Sequence, residues 1–206
     1  MKKFIIAAIS ALTIMLCSVT AFAQNTAYTV QPGDSMWKIA VKFQVGLSEI
    51  KSLNPQIKNP AMIYPGQKLT IPNISDVKAI ENEVIRLVNA ERSKNGLPPM
   101  KANWELSRVA RYKSQDMLNK GYFSHTSPTY GSPFKMMETF GIRFSAAGEN
   151  IAMGQRTAQE VMTGWMNSPG HRANILNPSY TEIGVGLAKN AQGRNYWTQM
   201  FIKPLR

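Results

Sequence analysis

The chain has 206 residues and a formal net charge of +12 at pH 7, from 24 lysine and arginine residues against 12 aspartate and glutamate residues. Its one cysteine excludes a disulfide framework. The basic residues are spread along the chain without a long run, which argues against a nucleic-acid-binding tail.

The first residues indicate export. Residues 1–3 are a short basic start, and residues 4–16, FIIAAISALTIML, are an apolar run too short to span a bilayer comfortably. Residues 21–23, Ala-Phe-Ala, fit a small-x-small cleavage site. We therefore expect residues 1–23 to be a secretory signal peptide, and the chain from Gln24 to be secreted to the cell wall or the extracellular space with no transmembrane segment. The cysteine, Cys17, is removed with this peptide, so thiolate chemistry is excluded as well.

Cleavage removes Lys2 and Lys3 and lowers the net charge from +12 to +10. For an exported protein, a basic surface favours anionic wall polymers, lipid or peptidoglycan carboxylates as partners, and no nucleic acid. A generally soluble basic surface is the open alternative.

Residues 28–72 predict a small domain in the order strand, helix, helix, strand. The first strand ends at the Pro32-Gly33 turn, and the last runs from Lys68 to Ile71. Apolar residues at helical spacing predict the two helices between them: Trp37, Ala40 and Val41, then Leu47, Ile50 and Leu53.

This segment resembles a LysM domain through three motifs in order, YTVQPGDSMWKIA, LNP and IYPGQKLTIP. The resemblance implies binding of N-acetylglucosamine glycans, in peptidoglycan or chitin, between two loops. Backbone groups of the loops would meet the N-acetyl group while an apolar side chain covers the sugar. The positions implied are Gly33, Asp34, Ser35 and Met36 in the first loop, and Asn59, Ala61, Met62, Ile63 and Tyr64 in the second.

We predict a short polar linker at residues 73–76, which divides the chain into 24–75 and a second domain, 76–206. Helices are expected there, followed by strands. Ile80, Val84, Leu87 and Val88 mark the first helix, which stops at Asn95-Gly96, and Gly121 closes the second. A short third helix and a fourth from Thr157 to Met166 precede alternating strands. The pattern predicts an α+β domain.

Two histidines and a glutamate stand near glycines in this domain: His125 in GYFSHTSP, Glu149 in AGENIA and His171 in SPGHRANIL. We expect all three in loops, where functional residues concentrate. Two imidazoles and a carboxylate suit either a divalent metal or a general base with an orienting acid, and spacing alone does not choose between them. Ser127, Asn150 and Gln199 are further candidates for the same site.

Residues 80–206 resemble the CAP superfamily of cysteine-rich secretory, antigen 5 and pathogenesis-related proteins, especially its bacterial branch. The motifs are VNAERSKNGLPPM, YFSHTSP, GENIA, GWMNSPGHRANILNP, TEIGVGLA and YWTQMF. The resemblance implies an α-β-α sandwich with a central cleft where His125, Glu149 and His171 meet. The family's fourth position, often glutamate, is Ser168 here. The resemblance therefore implies an incomplete set of ligands and only weak binding of a divalent metal such as Zn²⁺ by His125 and His171.

The two resemblances together predict a wall-associated protein whose LysM domain tethers a CAP domain with a non-catalytic binding or adaptor role. The alternative is a metal-assisted hydrolase acting on wall peptides or proteins, with Glu149 as the acid/base.

Overall fold

The computed structural model describes residues 25–205. The predicted signal peptide and its cysteine lie outside the described residues. Within residues 25–205, no helix is long and apolar enough to cross a membrane.

The N-terminal domain contains the four elements that the sequence predicts, in the predicted order. They are strand β1 (Thr26–Thr29), helices α1 (Met36–Phe43) and α2 (Leu47–Leu53), and strand β2 (Lys68–Ile71). The strands pair antiparallel, with Thr29 opposite Lys68. The Ser35 hydroxyl caps α1 by accepting a hydrogen bond from the Lys38 backbone N–H.

The small domain has its own hydrophobic core, built from Val30, Met36, Ile39, Ala40, Val45, Ile50, Ile57, Leu69 and Ile71. The inward face of α1 was predicted one residue out of register. Met36, Ile39 and Ala40 face inward at i, i+3 and i+4, and this leaves the Trp37 side chain 63% exposed.

Helix α3 (Ser75–Lys94) begins inside the predicted linker, so residues 75 and 76 are helical. The following elements are β3 (Lys101–Ala102), α4 (Trp104–Lys120), α5 (Pro133–Thr139), β4 (Phe144–Met153), α6 (Ala158–Met166), α7 (Pro169–Ile175), β5 (Glu182–Lys189) and β6 (Asn195–Pro204). Strand β3 and helix α7 were not predicted. Ile80, expected on the inner face of α3, is 39% exposed because Glu81 occupies that face.

These elements form an α-β-α sandwich, as predicted. The sheet order is β3-β5-β6-β4, with β3 parallel to β5 and the other pairs antiparallel. Alternate residues along β6 face opposite layers: Trp197 and Phe201 pack with α3, α6 and α7, whereas Met200 and Ile202 pack with α4 and α5.

Helix α4 lies unusually close to the sheet. A β-carbon added at Gly186 would lie 2.1 Å from the backbone carbon of Ala110, and one at Gly184 would lie 2.4 Å from that of Leu106. The two glycines of β5 therefore allow the helix to pack directly against the strand, which fixes the position of the loop that leaves α4.

Candidate functional site

A cleft of about 510 Å³ opens in the larger domain beside β4, α6 and α7. Its apolar lining is formed by Phe123, Ile151, Ala152, Met153, Val161 and Trp165. The polar groups that line the cleft are Ser124, His125, Gln155, Ser168 and His171. Both histidines of the chain therefore line one cleft.

His125 lies in the loop that follows α4, and its side chain is 53% exposed. A buried lysine holds the backbone of this loop: Nζ of Lys113 donates to the His125 carbonyl oxygen at 2.6 Å and contacts the Tyr122 hydroxyl at 3.3 Å. The imidazole is therefore exposed to solvent, while the backbone that carries it is held by the buried Lys113.

Glu149 backs His125 from inside the protein. Its side chain is 1% exposed, and its Oε1 lies 2.8 Å from Nδ1 of His125. Its other oxygen, Oε2, is buried without a hydrogen-bond partner among residues 25–205. The hydrogen bond to Glu149 raises the pKa of His125 above its usual value, although burial and Lys113 oppose it. Burial in turn raises the pKa of Glu149, opposed by His125 and Lys113.

His171 is half-buried in the first turn of α7. Burial lowers its pKa, and the nearby His125 lowers it further. Asn150 of β4 fixes this helix by donating to the His171 carbonyl oxygen at 3.1 Å. Asn174 of α7 donates back to the Glu149 carbonyl oxygen at 3.2 Å, so helix and strand are tied together beside the two histidines.

The prediction that all three residues lie in loops was wrong for two of them. Glu149 lies within β4, and His171 lies on α7. The glycine beside Glu149, Gly148, has a packing role, because a β-carbon there would lie 2.6 Å from the Tyr180 hydroxyl. The glycine therefore permits a close approach of Tyr180 to the strand rather than a loop.

The predicted cleft positions Ser127, Asn150 and Gln199 do not line the cleft. All three are almost fully buried. The Ser127 hydroxyl donates to Asp116, and Asn150 donates to the Gln199 side-chain oxygen at 3.0 Å. Asn150 and Gln199 are opposite each other on the paired strands β4 and β6. Ser127 lies in the loop after α4, held by Asp116.

Sequence reasoning missed the polar network beneath the His125 loop. The Asp116 carboxylate accepts hydrogen bonds from the hydroxyls of Tyr122, Ser127 and Thr129, all at 2.6 Å. Although burial opposes it, these donors lower the pKa of Asp116. The sequence does contain one signal of this network. Lys113 is four residues from both Val109 and Met117, so helical spacing places it on the buried face of α4, where a lysine needs polar partners.

The donors around the cleft fit a divalent metal poorly. Among residues 25–205, no three His, Cys, Asp or Glu side chains come together as a metal-binding group. The Glu149 carboxylate is turned towards His125 Nδ1, and Ser168, which also lines the cleft, is a neutral residue. Two imidazoles remain, which is fewer than the three protein ligands of typical zinc sites.

The two predicted glycan loops of the small domain leave its sheet side by side. Because Thr29 pairs with Lys68, the chain after β1 and the chain before β2 start as neighbours. Two backbone hydrogen bonds extend the pairing: Val30 N–H donates to Gln67 and Gly66 N–H donates to Val30, each at 2.9 Å.

Most candidate glycan positions are exposed or half-buried, and the described loops keep Gly33, Ala61, Met62 and Tyr64 open to solvent. Asn59 Oδ1 accepts from the Ala61 N–H at 3.0 Å, which fixes the second loop. Asp34 Oδ2 accepts from Tyr28 and from the Gln31 N–H, which fixes the first.

Two of the candidates face inward. Met36 was expected at the glycan loop, but its side chain is 2% exposed and belongs to the core, so only its backbone can meet a ligand. Ile63 packs against the same core and is partly buried.

Comparison with known families identifies both domains. The cysteine-rich secretory protein family, CAP, matches residues 85–201, and the LysM domain matches residues 28–72.

Three curated proteins illustrate the relatives. The chain is 57% identical to Bacillus subtilis YkwD over 128 residues, which is 62% of this chain and 49% of YkwD. It is 35% identical to the B. subtilis membrane protein YlbC over 190 residues, 87% of this chain and 54% of YlbC. A 75-residue stretch is 35% identical to the Staphylococcus aureus N-acetylmuramoyl-L-alanine amidase sle1, covering 36% of this chain and 22% of the amidase.

The chain thus spans about half the length of YkwD and YlbC. Among solved structures, an extracellular protein containing an SCP domain from Bacillus anthracis is similar, with a TM-score of 0.57 and 36% identity over 68% of this chain and 47% of that one. An outer surface protein from Borrelia burgdorferi, at 19% identity and a TM-score of 0.58, shares the fold over 65% of this chain and 97% of its own.

Proposed function

The chain belongs to the CAP, or cysteine-rich secretory protein, family and carries a LysM domain ahead of its CAP domain, and on that premise we propose that it is a secreted protein anchored to the cell wall. The LysM domain binds N-acetylglucosamine glycan strands of peptidoglycan. It thereby holds the CAP cleft close to ligands of the envelope. The similarity of one stretch to a staphylococcal N-acetylmuramoyl-L-alanine amidase supports the wall as the location.

The observation that carries the anchoring role is the pair of adjacent loops in the small domain. Both loops leave the same end of a two-stranded sheet, and internal hydrogen bonds fix each of them. Met62 and Tyr64 are 55% and 60% exposed there although both are large and apolar. Exposed apolar side chains on fixed loops are suited to cover the face of a sugar.

The positive charge supports the same location. A protein of net charge +10 after removal of the signal peptide is attracted to anionic wall polymers and lipid surfaces. This attraction is screened by salt, whereas recognition by the loops is screened much less. The two contributions are therefore separable by ionic strength.

A matched pair of variants tests the anchoring role in the chain from Gln24 to Arg206. Met62→Asp places a charge in the glycan loop, and Leu205→Asp places the same charge on another exposed apolar side chain, outside the CAP cleft. Both change the net charge equally. In co-sedimentation with insoluble peptidoglycan we expect Met62→Asp to lose binding and Leu205→Asp to retain it. Equal binding by both variants would overturn the assignment of the loop.

For the CAP domain, we propose a binding role: the cleft holds an envelope ligand against its apolar lining and its two histidines. Phe123 and Met153 are 47% and 36% exposed at this cleft, which leaves apolar surface for a ligand.

A second candidate, hydrolysis of wall peptides or proteins, has one observation in its favour. An exposed imidazole hydrogen-bonded to a buried carboxylate is the arrangement of a general base with an orienting acid. Turnover of purified peptidoglycan or of wall peptides, with and without added Zn²⁺, decides between the two roles. Turnover that disappears in Glu149→Gln would favour the hydrolase, and no turnover by the wild type favours binding.

A further inference from the structure

Among residues 25–205, the polar residues that line the CAP cleft supply hydrogen-bond donors and include no acidic side chain. Its polar lining consists of two imidazoles, two serine hydroxyls and one glutamine. The Glu149 carboxylate is hydrogen-bonded to His125, but its side chain is 1% exposed and does not line the cleft. Because it is covered, Glu149 offers no oxygen to a cation in the cleft, and its negative charge is opposed by the nearby His125 and Lys113.

A buried cation lies behind His125. Lys113 is fully buried, and its ammonium group donates to the His125 carbonyl oxygen at 2.6 Å. It places a positive charge under the loop that forms this side of the cleft. In the part of the chain that the structure describes, no lysine or arginine lines the cleft itself. A single diffuse negative charge therefore suits the cleft better than a phosphate, which proteins commonly hold with arginine or lysine.

The cleft also has an apolar lining. Trp165 and Val161 are buried beneath its surface, and Phe123 and Met153 are exposed. A ligand that fills the cleft therefore needs an aliphatic part as well as an anionic group.

We propose that the CAP cleft binds the free C-terminal carboxylate of a short peptide whose last residues are small and apolar, in preference to a divalent cation. The carboxylate lies against His125, His171 and Ser168, and the apolar side chain lies against Phe123 and Met153. This inference rests on the proposed function in one respect, that the cleft is a ligand site, and adds the class of ligand.

Ser168 is the residue that sets this preference. It lines the cleft beside His171, and its hydroxyl makes no capping hydrogen bond to the described residues of α7, so it is available to a ligand. An acid at this position would repel a carboxylate and would complete a set of oxygen and nitrogen ligands for a cation. The serine therefore selects against cations and for anions.

The test uses the chain from Gln24 to Arg206 and measures binding by NMR shifts of the side chains of its two histidines. The probes are N-acetyl-alanyl-alanine, the same dipeptide with a C-terminal amide, and inorganic phosphate. We expect the acid to bind about tenfold more tightly than the amide, since a charge-assisted hydrogen bond is roughly twice as strong as a neutral one. We expect phosphate to bind more weakly than the acid.

The matched variants are Ser168→Glu and Ser168→Gln, which differ in charge but little in size. We expect Ser168→Gln to keep the preference for the acid. We expect Ser168→Glu to lose it and to bind Zn²⁺ more tightly than the wild type. Thermal unfolding of both variants checks that the fold is retained.

Three outcomes would overturn the proposal: equal binding of acid and amide, no binding of the acid by the wild type, or equal loss of acid binding in the two variants. Phosphate binding as tight as that of the acid would also overturn it. None of these outcomes affects sedimentation of the protein with peptidoglycan through the LysM loops, so a failure here is distinguishable from a failure of the anchoring role.

Discussion

Nδ1 of His125 lies 2.8 Å from Oε1 of Glu149, and the two side chains differ sharply in exposure, 53% against 1%. The carboxylate is inside the protein and the imidazole is in the cleft, so the glutamate acts on a ligand only through the histidine. Asn174 holds the Glu149 backbone and Lys113 holds the His125 backbone, which fixes both ends of this contact.

We predict that Glu149→Gln lowers the pKa of His125. The hydrogen bond to Glu149 is the main cause that raises this pKa, and burial and Lys113 both lower it. With the carboxylate removed, only the lowering effects remain, so the pKa should fall below the usual histidine value. An NMR titration of the His125 ring measures it. Glu160→Gln, an exposed acid on α6, is the control. An unchanged His125 pKa in Glu149→Gln would contradict the contact.

A second prediction concerns the coupling of the two histidines. The positive charge of His125 lowers the pKa of His171, in addition to the larger effect of burial. His125→Gln removes that charge, so the pKa of His171 should rise while staying below its usual value. The same NMR titration reports it. An unchanged His171 pKa would show that the two rings do not share the cleft in solution.

Binding of Zn²⁺ by His125 and His171 is expected to be weak, because Glu149 is turned away and Ser168 is neutral. It should weaken further as the pH falls through the histidine range near about 6.5, since a protonated imidazole is not a ligand. Calorimetric titration of the wild type and of His171→Ala measures this. Equal Zn²⁺ affinity in the two proteins would show that His171 is not a ligand.

Two glutamates on α3 form ion pairs that differ in burial: the pair made by Glu81 is buried, and the pair made by Glu83 is exposed. Oε2 of Glu81 lies 2.7 Å from Nη1 of Arg111, and its other oxygen accepts from the Leu187 N–H, which ties α3 to α4 and β5. Burial raises the pKa of Glu81 to about 7, although Arg111 and the Leu187 N–H oppose it. Removing one partner of a buried pair leaves an uncompensated group, so we predict that Glu81→Ala costs about 3–5 kcal/mol of unfolding free energy.

The control for that prediction is Glu83→Ala on the same helix. Glu83 pairs with Arg86 at 2.6 Å, but both side chains are largely exposed. Exposed ion pairs contribute little, so we expect no measurable loss of stability. Urea unfolding of the two variants under the same conditions checks the difference. A loss in Glu83→Ala as large as that in Glu81→Ala would contradict the account of the buried pair.

The sequence predicts where the helices and strands lie better than it predicts which of their residues face the core. Gly121 ends α4 in the left-handed conformation and Thr157 caps α6, as the capping signals indicate. Helix α7 was missed because its first residues, Pro169 and Gly170, are typical of a turn, although proline is also favoured at the first position of a helix.

The supporting residues of the cleft could not be predicted from local patterns. Arg92 is fully buried and donates to the carbonyl oxygens of Pro98, Ile175 and Asn177 at 2.9 Å. These acceptors are far apart in sequence and become neighbours only when α3, the loop before β3 and the end of α7 pack together. Periodicity reports which side of a helix is apolar, but not which distant carbonyl groups a buried arginine will meet.

The most direct test of the central claim, that the LysM domain is the wall anchor, is co-sedimentation of its two halves with insoluble peptidoglycan. Residues 24–76 contain a complete core of their own, so they are expected to fold alone. At both low and moderate salt we predict that residues 24–76 pellet with the peptidoglycan, whereas at moderate salt residues 77–206 stay in the supernatant, because screening removes charge adsorption. Residues 24–76 remaining in the supernatant at both salt concentrations would contradict the account.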